Sequence, residues 1–145
     1  MLPEALELVV VTPEKQLLRQ KTVDVQMPGE DGYLGILPGH APLMTALGIG
    51  DLSYRTADGK DTAHVAIIRG FAEVLPDRVT ILAETAERAE EIDVQRAKEA
   101  LARAEKRLAE NNPNMDWDRA SIALQRALIR IQVAAKRHHA PVSSS

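Results

Sequence analysis

Glu90-Glu91-Ile92-Asp93-Val94-Gln95-Arg96-Ala97 separates two periodicities in this chain. Before it, apolar and polar residues alternate, the period of a strand. After it, apolar residues recur every three or four positions, the period of a helix. The stretch also carries its own helix start. Asp93 is placed as an N-cap, able to accept a hydrogen bond from the amide of Gln95 or Arg96. Ile92 precedes the cap, positioned to pack on Ala97 as a hydrophobic staple. The boundary divides the chain into a β domain at 1–88, an α-helical hairpin at 89–137 and a flexible tail at 138–145.

Downstream, Ala97, Ala100, Leu101, Ala104 and Leu108 share one narrow helical face. Asn111-Asn112-Pro113-Asn114 stops that helix, and Asn114 or Asp116 can cap the next. Trp117, Ala120, Leu124, Ala127, Ile131 and Ala134 then form a heptad-like seam. The short connection makes the two helices an antiparallel hairpin. Alanine lets the helices approach closely but buries little area. At roughly 25 cal/mol per Å² it stabilises the seam far less than leucine would. A marginal hairpin, able to open or to dock elsewhere, is expected.

Upstream, Leu6, Leu8 and Val10 mark one strand, and Val23, Val25 and Met27 another. Leu52 and Tyr54 lead to Asp58-Gly59, a hairpin turn signal. His64 to Arg69 is short and mostly apolar, as a strand buried on both faces would be. Phe71 to Leu75 and Val79 to Ala83 flank Pro76-Asp77-Arg78, a second hairpin. The fold class is therefore α+β: an N-terminal antiparallel β-sandwich followed by a C-terminal two-helix hairpin.

The 28–42 segment, PGEDGYLGILPGHAP, is rich in glycine and proline. It lacks the Gly-Lys-Ser/Thr of a phosphate loop, and no Gly-x-Gly-x-x-Gly opens a helix. It reads as tight turns around a short strand at Tyr33 to Leu37. Turns on a rigid sheet can still present a docking surface, with Tyr33, Leu34 and His40 as candidates.

Composition narrows the function classes. The 145 residues contain no cysteine, so disulfide and thiolate chemistry are excluded. Aromatics are 3%, so the core is built from Val, Ile, Leu and Ala. No apolar run approaches the roughly 20 residues of a membrane span, and the start lacks a secretory signal. A soluble intracellular protein is expected. Residues 1–88 hold 8 Lys/Arg against 13 Asp/Glu, whereas 89–145 hold 10 against 8. The hairpin can therefore attract anions. Arg96, Arg103 and Arg107 stripe the first helix, and Arg119, Arg126, Arg130 and Arg137 the second. Solvated pairing with Glu99, Glu105 or Glu110 is one reading. Polyphosphate recognition by facing guanidiniums is the other. A nucleic-acid or anion-binding adaptor is the alternative function, weakened by the small positive excess. No catalytic constellation or metal spacing appears among the serines and the histidines His40, His64, His138 and His139. Asp93, Glu87, Glu90 and Glu91 are explained by a cap and a solvated first turn.

Several stretches taken together resemble the epsilon-subunit family of bacterial F-type ATP synthases. They are Val10-Val11-Thr12-Pro13, the 32–43 run GYLGILPGHAPL, the 69–74 run RGFAEV, the 79–83 run VTILA and the 89–93 junction AEEID. Arg119 to Ala134 completes the likeness. One departure is Arg69, where the family often has a second glycine beside Gly70. The resemblance implies a non-catalytic subunit that couples proton translocation to ATP synthesis, peripheral on the cytoplasmic face of the cell membrane. It implies a sandwich that binds the gamma subunit and the c-ring, with Glu30, Asp31 and Tyr33 toward the c-ring and His40 toward gamma. It implies helices that extend into the catalytic alpha/beta head and inhibit hydrolysis. Some members bind ATP through Ile/Leu-Asp-x-x-Arg-Ala, matched here by Ile92, Asp93, Arg96 and Ala97. Glu87, Arg103, Arg126 and Arg130 match that family site as well. ATP would be a regulatory ligand, with no resident cofactor or metal and no nucleic-acid partner.

Overall fold

A computed structural model describes residues 2–137; the expected tail at 138–145, with His138 and His139, lies outside the described residues. Six strands come first: β1 Leu6–Val11, β2 Gln16–Gly29, β3 Gly32–Ile36, β4 Leu43–Thr56, β5 Thr62–Leu75 and β6 Arg78–Arg88. A single 3-10 turn, Ala89–Glu91, leads to α1 Val94–Ala109 and α2 Trp117–Ala134.

The sheet runs β1-β6-β5-β4-β2-β3, and β1 also pairs with β2. That extra pairing curls the sheet into a flattened barrel with two packed faces. All neighbours are antiparallel except β1 and β6, which pair in parallel with Val9 opposite Thr80. Local alternation cannot reveal this: β1 and β6 are far apart in sequence, and their shared direction follows from closure. The alternating residues turn inward as expected. Leu6, Leu8, Val10, Val25, Leu52, Ile67 and Ile81 form the centre of the core, each fully buried.

Four strands, β2, β4, β5 and β6, are longer than alternation suggests. β4 and β5 pair continuously from Leu43 opposite Val74 to Arg55 opposite Thr62. The apparent gap between His64–Arg69 and Phe71–Leu75 is a pinch within one strand. There Arg69 has φ 57° and Gly70 φ 153°. A side chain at Gly70 would meet the Leu82 carbonyl oxygen at 2.1 Å, so only glycine fits. Arg69 takes the left-handed conformation that glycine tolerates better, at a cost of roughly 1–2 kcal/mol. This is the position where the family resemblance departs from glycine.

The run Val65–Ile68 is buried on both faces, as its sequence suggests. Val65 and Ile67 point into the barrel. Ala66 joins a second cluster with Ala89, Ile92, Val133 and Ala134, formed where the hairpin lies on the sheet. Ile92 therefore packs between sheet and α2; it is the sandwich and the far end of α2 that hold it.

Both helix starts follow their sequence signals. Asp93 Oδ1 accepts from the Arg96 amide at 3.1 Å, and Asp116 Oδ1 from the Arg119 amide at 3.0 Å. The buried residues of α1 are Ala97 and Ala104. Those of α2 are Ala120, Ala127, Val133 and Ala134. Trp117 departs from the seam: at the first turn of α2 it is 49% exposed.

Candidate functional site

Glu87 ends β6 beside the hairpin, and Arg130 reaches it from α2. The guanidinium forks onto the carboxylate, Nε at 2.7 Å from Oε1 and Nη2 at 3.1 Å from Oε2. Both side chains are largely covered, so the pair is stronger than a surface ion pair. One turn earlier on α2, Arg126 faces the same cavity of about 260 Å³, together with Ile68, Thr85 and Ala100. Arg126 and Ala123 also border an adjoining trough of about 560 Å³ toward the hairpin tip. Arg107, Arg119, Asp116 and Asp118 line that trough. Arg126 thus stands at the junction of two spaces, each lined by guanidiniums and carboxylates. The smaller alone falls below the roughly 300–1,000 Å³ usual for ligand sites; the two together reach it.

Of the eight residues assigned by sequence to nucleotide binding, the structure gathers three, Glu87, Arg126 and Arg130, around one cavity. The others do not line it. Ile92 is buried, and its carbonyl accepts from Arg137 Nη2 at 3.0 Å. Asp93 caps α1, and Ala97 is buried on the inner face of α1. Arg96 and Arg103 are exposed on α1. Pairing of the arginine stripes with Glu99, Glu105 or Glu110 does not occur. Among the described residues, Arg96, Arg103, Arg107, Arg119 and Arg126 make no ion pair.

Of the expected docking residues, three lie at the β2–β3 turn, while His40 lies past the other end of β3, next to Gly39, whose amide donates to the Pro76 carbonyl. Glu30, Asp31 and Tyr33 are exposed. His40 is half-buried and donates from Nδ1 to the Ala41 carbonyl at 2.6 Å, a local bond that orients the ring. The 28–42 segment is a set of turns, with β3 between Gly32 at φ 138° and Gly39 at φ 87°.

An apolar surface near this segment escaped sequence reasoning. Phe71 and Leu82 are paired across β5 and β6 and are 58% and 53% exposed. They flank a trough of about 670 Å³ that runs from Val11-Thr12-Pro13 to Glu30. Its signal was available: Phe71 and Glu73 share the outward phase of β5, whereas Ala72 and Val74 point in. Large apolar side chains left outside mark a contact surface. No helix of the described residues is long and apolar enough to cross a membrane.

Comparison with known proteins accounts for both halves. The description "ATP synthase, Delta/Epsilon chain, beta-sandwich domain" matches residues 5–89, and "ATP synthase, Delta/Epsilon chain, long alpha-helix domain" matches 90–135. The chain belongs to the ATP synthase delta/epsilon family. The family boundary falls within one residue of the periodicity change. Among similar proteins, the ATP synthase epsilon chain of Solibacter usitatus is 47% identical over 94% of this chain and 100% of its own length. That of Syntrophobacter fumaroxidans is 50% identical over 92% and 98%. A chain of the Euglena gracilis mitochondrial ATP synthase shares the fold, with TM-score 0.79 and 23% identity over 94% of this chain and 84% of that one.

Proposed function

We propose that the chain is the epsilon-type central-stalk subunit of a bacterial F-type ATP synthase, coupling rotation to synthesis and regulating hydrolysis without catalysing it. Family membership over both domains supports this reading, and it displaces the nucleic-acid adaptor alternative. The sandwich docks on the gamma subunit and the c-ring through the turn-rich segment and the exposed apolar trough beside it. The subunit is peripheral, on the cytoplasmic face of the cell membrane, and touches the bilayer only through the complex.

The hairpin is the regulatory part. The observation that carries this is the convergence of Glu87, Arg126 and Arg130 on one cavity between sheet and helices. Glu87 fixes the Arg130 fork, and Arg126 stands ready for a phosphate oxygen. ATP bound there bridges β6 and α2, so it stabilises only the compact form. Arg96 and Arg103 reach the ligand from α1 once it is seated. A ligand at 100 times its Kd adds about 2.7 kcal/mol to the state it binds. When ATP is low, the thin alanine seam releases and the helices extend along gamma into the alpha/beta head. ATP acts as an effector.

Titration calorimetry of the full chain with ATP tests the reading. Saturable binding is expected, weakened about tenfold or more by Arg126→Ala or Arg130→Ala, since each removes a charge-assisted phosphate contact. Absence of binding, or unchanged affinity in both variants, overturns it.

A further inference from the structure

Beyond the end of α2, Lys136 Nζ lies 2.8 Å from Asp51 Oδ2. Asp51 sits mid-strand on β4, only 9% exposed. The same carboxylate receives His64 of β5, whose Nδ1 is 3.0 Å from both oxygens. A carboxylate so covered is costly to leave unpaired. Its location is telling. Asp51 stands opposite Ala66 in the β4–β5 ladder, and Ala66 packs against Val133 and Ala134 of α2. The ionic contact thus closes over the apolar contact that seats the hairpin.

The Asp51 backbone leads in a second direction. Its amide donates to the Tyr33 hydroxyl at 3.0 Å, although Tyr33 is otherwise 61% exposed. Gly50 makes room for this: a side chain there would come within 2.8 Å of the Tyr33 hydroxyl and 2.5 Å of Pro28 Cβ. Tyr33 is therefore seated on the Gly50–Asp51 backbone. One residue joins the β2–β3 docking turn to the end of the hairpin.

We propose that Asp51 is a latch: Lys136 closes on it to hold the end of α2 on the sandwich, His64 steadies the carboxylate from β5, and Tyr33, resting on its amide, couples the docking turn to that latch. A partner that moves Tyr33 shifts Asp51 and loosens α2, so docking and hairpin release share a physical connection. The proposal deepens the reading that the hairpin leaves the sandwich, and it involves none of the nucleotide-contacting side chains.

Hydrogen exchange of the full chain without nucleotide tests it, by comparing α2 amides with those of β1 and β6. Lys136→Met is expected to speed α2 exchange about tenfold with the strands unchanged, because it removes the charge-assisted bond that ties the end of α2 to Asp51. Lys136→Arg restores most of the protection. Tyr33→Phe, which removes only the hydroxyl, is expected to speed α2 exchange about two- to threefold. Unchanged α2 exchange in Lys136→Met, or equal acceleration of helices and strands, overturns the latch. Unchanged exchange in Tyr33→Phe overturns its coupling to the docking turn. If α2 and the strands exchange together in the unmodified chain, the hairpin does not open alone, and the regulatory reading itself fails.

Discussion

The barrel and the hairpin bury different chemistry. The barrel interior is filled by Leu6, Leu8, Met27, Ile36, Leu52, Ile67 and Ile81, all at 0–1% exposure. The covered faces of the two helices hold mostly alanine: Ala97 and Ala104 on one, Ala120, Ala127 and Ala134 on the other, with Val133 the one larger buried side chain. A branched side chain withdrawn from water contributes about 1.5–3 kcal/mol, and an alanine much less. The barrel is therefore a fixed platform. The hairpin is held by small seams, Glu87–Arg130 and the contacts at its far end. A region whose stability is small is one that a ligand or a partner can tip.

Three changes bear on that contrast. The largest effect is expected from Leu52→Ala. It opens a cavity in the platform and lowers the stability of the whole chain by about 2–5 kcal/mol in denaturant unfolding. A loss confined to the helices would show that the platform is not where stability resides. Ala104→Leu comes next. It forces the close-approaching helices apart at a cost of about 1–3 kcal/mol. Exchange should rise in α1 and α2 and leave β1 to β6 unaltered; strand deprotection would erase the distinction between the regions. The smallest effect concerns pH. The bond to Asp51, opposed by partial burial, raises Lys136 above the ordinary lysine value of 10.5. A raised folded-state value means its contribution is complete below 10.5 and fades as pH climbs through the folded value. The protection of α2 should therefore hold from neutral pH to the ordinary lysine range and fall only above it. Lys136→Met should abolish that alkaline step.

The parts of this fold legible in the sequence are those set by neighbouring residues. Asp93 and Asp116 cap their helices because a cap needs only the next three residues. The double burial of Val65–Ile68 was legible from its unbroken apolar run. The parallel β1–β6 pair, the closure of β1 on β2 and the joining of β5 through Arg69-Gly70 depend on distant segments and left no local period. Trp117 matched the helical phase of the seam, yet at the first position of α2 it is half exposed. The site divides in the same way. The arginine stripes were visible, but which guanidinium meets Glu87 depends on how the hairpin lies on the sheet. Asp51 gave no sign of its role, because its partners are 13 and 85 residues away.

The extra pairing of β1 has one more consequence. Because β1 bonds to both β2 and β6, β3 is the strand with a single neighbour among those described. It is five residues long, and Gly32 and Gly35 are two of the five. Open strand borders are templates on which identical chains stack into aggregates. Here that border is short, glycine-weakened and adjacent to the tight β2–β3 turn. A border this short offers a second copy of the chain little continuous backbone to pair with.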